Sequence, residues 1–246
     1  MAIHENGLAY KVMAPLVPRL LSKFENAITR VSDNRTFFRL ADFPWTEQVE
    51  REFPVIRQEL LTLLTQQRKN IPELKDLAKS QSMITEGEWR SFMFYVSGHK
   101  VEANCALCPE TARIVKQTIP GMSSALFSVL APGARITPHR GLFKGVLRYH
   151  LGLIVPSDFT SCAIRVGSDV RHWREGEGLV FDDTHEHEVW NNSDQTRAIL
   201  LVDFARELPF PLHQLNHVMI KLCGISPYVV EILSRLSDRV SDVKPL

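Results

Sequence analysis

Two stretches of this chain carry side chains that are costly to place in a fold unless something uses them. The first runs Ile136-Thr137-Pro138-His139-Arg140-Gly141 and resumes at Leu147-Arg148-Tyr149-His150-Leu151-Gly152-Leu153. The second runs Phe181-Asp182-Asp183-Thr184-His185-Glu186-His187-Glu188-Val189-Trp190 and resumes at Arg197-Ala198-Ile199-Leu200-Leu201-Val202-Asp203. His139 and His187 each lie beside a turn or strand end, and imidazole suits iron, zinc, copper or nickel. A non-haem iron centre commonly joins two histidines to one carboxylate, written His-x-Asp plus a distant His. Here the residue two after His139 is Gly141, so that carboxylate is missing.

The basic residues suggest a second chemistry. If Val146 to Val155 is a strand, Arg148 and His150 share one face while Leu147, Tyr149, Leu151 and Leu153 share the other. A buried Arg and His need a partner, and an anionic ligand would supply it. Arg197 heads another apolar strand, on the face of Ile199 and Leu201, and Arg is suited to bidentate carboxylate binding. Residue chemistry alone leaves plainer readings open. Each histidine can be a packed or surface residue, and Arg148 and Arg197 can form rim ion pairs with Asp182, Asp183 or Glu188. The acidic run from Asp182 can be a solvated turn. A zinc site of His139, His185 and His187, with Glu186 or Glu188 as base, is also compatible with the spacing.

The elements that must position these residues fall into three textures. From Leu16 to Leu77 the apolar period is helical: Leu20, Leu21, Phe24 and Ile28, then Val49, Phe53, Ile56, Leu60 and Leu63. Asp42 and Asn70 stand where capping chemistry is expected. Between Ser91 and Phe204, short β-like runs alternate with Pro- and Gly-rich turns. The runs are Phe92–Val96, Ala125–Leu130, Val146–Val155, Cys162–Val166, Gly178–Phe181, His187–Trp190 and Ala198–Phe204. One helix interrupts them at Pro109–Gln117. After Pro209 the helical period returns with Leu215, Val218, Met219 and Leu222, then Val229, Ile232 and Leu233, stripes expected to pack on the core. The reading is mainly β with flanking helices, an antiparallel sandwich or jelly roll in one domain. Its parts are a helical flank (1–85), a β core (86–208) and C-terminal helices (209–246).

Composition adds exclusions. With 29 Lys+Arg against 28 Asp+Glu in 246 residues, no global charge points to nucleic acid. The polar start is unlike a secretory signal, and no apolar run approaches the roughly 20 residues of a spanning helix, so a cytoplasmic location is expected. The four cysteines, Cys105, Cys108, Cys162 and Cys223, lack the second close pair of a structural zinc site and read as reduced thiols. Oligomeric state is not legible.

Taken together, the Pro-His-x-Gly element, the Leu-Arg-x-His-Leu-Gly-Leu strand and Phe-Asp-Asp-x-x-Glu-His-Glu-Val-Trp resemble the aspartyl/asparaginyl β-hydroxylase family, from Glu86-Gly87-Glu88-Trp89 to Asp203. The resemblance implies a double-stranded β-helix (cupin-like jelly roll), with Fe(II), 2-oxoglutarate and O2 used to hydroxylate an unactivated C–H bond. It implies that His139 and His187 hold the metal, with Gly standing in place of the carboxylate. It matches Ser128, Arg148, His150 and Arg197 to 2-oxoglutarate contacts, Arg197 and Ser128 at the distal carboxylate, and puts Trp89, Arg140 and Gly141 in the active-site region. Cys108-Pro109-x-Thr111, Arg148-Tyr149-His150 and His172-Trp173-Arg174-x-Gly176 are similar to the lipid A acyl-chain 2-hydroxylase branch. That branch generally has Asp where Gly141 stands. The expected substrate is a free, carrier-tethered or peptidyl aspartyl- or asparaginyl-type amino acid hydroxylated at its β-carbon. Alternatives are lipid acyl-chain 2-hydroxylation, halogenation at the vacated carboxylate position, a zinc enzyme, or a jelly roll that only binds carboxylates.

Overall fold

The computed structural model of the chain describes residues 16–67, 71–78 and 82–242. In chain order the strands begin with β1 (Phe37–Phe38), β2 (Thr85–Glu86), β3 (Trp89–Val96), β4 (His99–Lys100), β5 (Met122–Leu130) and β6 (Arg135–His139). They continue with β7 (Val146–Ile154), β8 (Cys162–Val166), β9 (Asp169–His172), β10 (Gly178–Phe181), β11 (His187–Asn191) and β12 (Arg197–Ala205). They form two antiparallel sheets, a major one ordered β1-β10-β7-β12-β5-β3-β4 and a minor one ordered β2-β6-β11-β8-β9. Sequence neighbours are thus dealt between two facing layers, as in a jelly roll.

The helices are α1 (Leu16–Val31), α2 (Trp45–Arg51), α3 (Phe53–Gln67), the single turn α4 (Leu74–Leu77), α5 (Glu102–Leu107), α6 (Pro109–Thr118), α7 (Leu212–Cys223) and α8 (Pro227–Asp242). Tyr149, Leu151 and Leu153 of β7 pack outward with Phe127, Leu200 and Val202 against Val49, Ile56, Leu60 and Val115 of α2, α3 and α6. The opposite face of the major sheet meets the minor sheet through Leu130, Phe181, Ile199 and Leu201 on one side and Ile136, Ile164, Val166 and Val189 on the other. The major sheet is therefore covered on both faces, which is why its strands read as nearly unbroken apolar runs. Glu59 of α3 fixes α6: its carboxylate accepts from the backbone N–H groups of Glu110 (2.9 Å) and Thr111 (2.8 Å) and from the Thr111 hydroxyl (2.6 Å). It serves as a cap that Cys108, at the N-cap, does not provide.

The strands expected from sequence form, with ends shifted by up to three residues, and the helix expected at Pro109–Gln117 runs to Thr118. Several elements differ from expectation. Phe37 and Phe38 extend the major sheet from within the flank read as helical, pairing with Phe181 and Val180. β6 was masked in the sequence by Pro138, which tolerates strand geometry here because β2 pairs only with Arg135 and Ile136. The β6–β11 register also slips by one between His187 and Val189. β9 was hidden in what reads as a turn, and α5 was unmarked. Asp42 caps no helix; it pairs with Arg39 at 2.8 Å, and α2 begins after Pro44. Asn70 lies outside the described residues. On α8, Val229 and Ile232 are buried as expected, whereas on α7 Leu215, Val218 and Leu222 are exposed. No single described helix is long and apolar enough to cross a membrane.

Candidate metal and carboxylate site

His139 ends β6 and His187 begins β11, and the register sets them directly opposite one another. Their ring centroids are 4.1 Å apart. Each Nδ1 is held by a backbone carbonyl two residues earlier, His139 by Thr137 at 2.8 Å and His187 by His185 at 3.0 Å. A ring that donates its Nδ1–H to a carbonyl presents the Nε2 lone pair outward, the tautomer a metal requires. Burial favours the neutral ring in both: it lowers the His139 pKa and, reinforced by His139 and Arg148 nearby, takes that of His187 to about 3.

Gly141 is where the sequence lacks a carboxylate. Its N–H donates to the Asp183 carbonyl at 2.7 Å, and a Cβ added there would lie 2.3 Å from Asp183 Oδ1. The space a side chain at 141 would take is thus filled by the Asp183 carboxylate. Asp183 is buried, contrary to the solvated turn its acidic neighbours suggest, and so is Asp182. Arg148 Nη2 pairs with Asp183 Oδ2 at 3.0 Å, while Oδ1 has no partner. Burial, opposed by Arg148, raises the Asp183 carboxyl to about 6. Among the described residues, no three His, Cys, Asp or Glu side chains gather as a metal cluster, so the Asp183 carboxylate fills the space at Gly141 without joining the histidine pair. His185 does not complete a zinc triad, and Glu188 and Glu186 are engaged with Arg165 at 2.6 and 3.2 Å.

Arg148 and His150 face inward from β7 as their alternation requires. Arg148 binds Asp203 through Nε at 2.7 Å besides Asp183, so it belongs to an ion-pair network, the arrangement its acidic neighbours allowed. His150 is buried with neither ring nitrogen hydrogen-bonded. Burial first, then the Arg148 and Arg197 charges, hold it well below the usual histidine pKa, so it is neutral. Arg197 is 1% exposed and pairs with no acid among the described residues. Its Nη1 reaches the Ser128 carbonyl at 3.3 Å and hydroxyl at 3.4 Å, its Nε has no partner, and burial lowers its pKa. A buried, unpaired guanidinium is unfavourable unless an anion joins it. Trp89 donates Nε1–H to Ser128 Oγ at 2.9 Å, orienting that hydroxyl. Arg140 is exposed and reaches the Thr184 carbonyl at 3.2 Å, outside this buried group.

Sequence reasoning missed two participants. Asp183 was read as a turn residue or an ion-pair partner of Arg148, and the pairing forms, but its place against Gly141 was not foreseen. Trp173 was noted only as part of a motif. It is fully buried, its ring lies 4.7 Å from the Arg197 guanidinium carbon and 6.0 Å from the His150 ring, and its Nε1 has no partner. Phe181 meets His150 at 4.8 Å and His187 at 6.1 Å. A continuous line of rings therefore joins the histidine pair to Arg197, with unpartnered nitrogens at His150, Trp173 and Arg197. These features fit a metal at one end and a carboxylate at the other.

Residues 50–207 match the sequence profile of the aspartyl/asparaginyl β-hydroxylases. The chain belongs to this family. The chain is similar to an ornithine lipid ester-linked acyl 2-hydroxylase of Rhizobium tropici, 41% identical over 80% of this chain and 70% of that protein. It also resembles the aspartyl/asparaginyl β-hydroxylase of Mus musculus, 31% identical over 64% of this chain but only 21% of that protein. Among solved structures, a Pseudomonas putida prolyl-4-hydroxylase aligns over 63% of this chain and 88% of its own, with 15% identity and a TM-score of 0.41.

Proposed function

We propose that this β-hydroxylase family member is an Fe(II)- and 2-oxoglutarate-dependent dioxygenase that hydroxylates a lipid acyl chain beside its carbonyl carbon. The observation that carries the cofactor reading is the His139–His187 pair, each ring anchored through Nδ1, linked by buried rings to Arg197, which has no acid partner among the described residues. The acyl-chain reading is supported by the 41% identity to a protein described as an acyl 2-hydroxylase, spanning 70% of it. The expectation of an amino-acid-like substrate gives way to it on that ground. Hydroxylation of an aspartyl β-carbon is the second reading, favoured by Gly141, which the first stretch shares with the aspartyl branch.

His139 and His187 would hold iron through Nε2. Bound iron and 2-oxoglutarate supply the oxidising power: one atom of O2 enters the C–H bond, and the other enters succinate as the co-substrate loses CO2. The protein orients and excludes water. Arg197, steadied by Ser128 and the Trp173 ring, would bind the distal carboxylate through charge-assisted hydrogen bonds. Neutral His150 has a donor for the opposite end of the co-substrate. Phe181 and Trp173 keep the intervening space dry, and Arg148 holds the Asp183 carboxylate beside the ligands.

Anaerobic titration with Fe(II) and 2-oxoglutarate tests the first part: a visible charge-transfer band is expected, and His187→Ala should abolish it. A well-folded, iron-loaded protein without the band would overturn the co-substrate assignment. Succinate release coupled to acyl hydroxylation, set against release with aspartyl peptides, decides between the substrates.

A further inference from the structure

Six of the twelve exposed large hydrophobic side chains among the described residues lie between Phe210 and Val230. Phe210 is 82% exposed, Leu215 49%, Val218 53%, Leu222 50%, Ile225 65% and Val230 55%. Leu215, Val218, Leu222 and Ile225 follow helical spacing, forming one stripe along α7 and its end. Asn216, on another face, is buried and ties α7 to the body, its side-chain N–H donating to the Gly145 carbonyl at 2.7 Å. The Gly224 carbonyl, beyond the C-terminus of α7, is 2.9 Å from His99 Nε2. The stripe is therefore held in place on a fixed helix, although no described residue covers it. Exposed patches of this kind mark contact surfaces.

Charge selects the occupant. No Asp or Glu occurs from Phe210 to Val230, whereas Lys221, His213 and His217 lie along one side of the α7 stripe. An apolar stripe bordered by a lysine and two histidines and free of acids complements the anionic headgroup and acyl boundary of a bilayer. The surface also adjoins the site. Gly145 ends the loop between β6 and β7, Leu142 on that loop is 82% exposed, and Tyr228 of α8 lies near Arg148.

We propose that α7 and the first turn of α8 form an interfacial docking surface that seats the protein on an anionic lipid bilayer, with the mouth of the site facing the acyl chains. This rests on the acyl-chain reading of the function. α7 is placed in the plane of the interface because neither α7 nor α8 alone is long and apolar enough to cross a membrane; only the two together, bent by 48°, reach that length and composition.

The test is flotation of the full chain with vesicles of phosphatidylcholine alone and of phosphatidylcholine containing phosphatidylglycerol, with turnover of a detergent-dispersed acyl substrate measured in parallel. The wild type should float with the anionic vesicles. Val218→Glu combined with Leu222→Glu should reduce partitioning at least tenfold, with unchanged melting temperature and micellar turnover. Val55→Glu, at an exposed apolar residue on α3, should change nothing. Lys221→Glu, which keeps the stripe, should weaken binding to anionic vesicles more than to neutral ones. Wild type that stays in solution, or a double variant that floats equally well, overturns the docking surface. So does a dimer that the double variant dissociates in a protein that ignores vesicles, for the stripe is then an interface between copies. Micellar turnover without vesicle binding removes the docking surface and leaves the function; vesicle binding without acyl turnover does the reverse.

Discussion

Arg197 and Gly141 carry the sharpest residue-scale consequences. Arg197 is buried with an unsatisfied Nε and no acid partner. Truncating one side of a buried charge-assisted pair costs about 2–5 kcal/mol, so Arg197→Ala should raise the 2-oxoglutarate dissociation constant at least about thirtyfold. An unchanged constant in calorimetry would remove Arg197 from the carboxylate site. Gly141→Asp, which restores a three-ligand pattern on paper, should weaken Fe(II) binding, because its Cβ would lie 2.3 Å from the Asp183 carboxylate. Adding Asp183→Gly should relieve the collision and recover affinity; tighter iron binding by Gly141→Asp alone would show that the two carboxylates do not compete for space. The inward face of Arg148 and His150 was legible because two-residue alternation leaves side chains little choice of face, whereas the pairing of His139 with His187 was expected from the family resemblance. The burial of Asp183 was not legible, since it depends on Arg148 arriving from a distant strand.

At the scale of elements, the loop between β6 and β7 is held by ions. Asp182 is fully buried, binding Lys144 at 3.0 Å and the Arg206 guanidinium, while Arg206 Nε donates to the Lys144 carbonyl at 2.8 Å. Removing one partner of such a group costs about 3–5 kcal/mol. Asp182→Asn leaves two buried cations undercompensated and should lower the melting temperature by roughly 6–20 °C; a change under 2 °C would mean that solvent reaches this cluster. The carboxylate is already ionised in the fold, its pKa lowered by Arg206 and Lys144 against burial. The sequence marked these residues only as an acidic run. The central strands of the major sheet, β3, β5, β7, β10 and β12, were legible because both faces are covered and their apolar runs are continuous, whereas the two-residue edge strands β1 and β4 were not. β6 and β9 were not, since one contains Pro138 and the other is short and largely exposed. The same helical period marked α7 and α8, but periodicity identifies an apolar face without saying what lies against it.

Over the whole molecule, α2, α3 and α6 share one apolar cluster with the major sheet, and the two sheets share the other. Neither layer has a core of its own, so denaturant unfolding followed by tryptophan fluorescence and by far-ultraviolet circular dichroism should give one coincident transition. Separated midpoints would divide the chain into independent units. The division of the site between the layers has a further effect. His139 and His187 stand on the minor sheet, whereas Ser128, His150 and Arg197 stand on the major one. If the proposed function holds, the gap between the sheets, lined by Phe181, Ile164 and Ile199, would act as a gauge for the length of a dicarboxylate stretched from metal to guanidinium. Adding or removing one methylene from the co-substrate would put an end out of reach, and thinning the packing between the sheets would reset the length the site accepts.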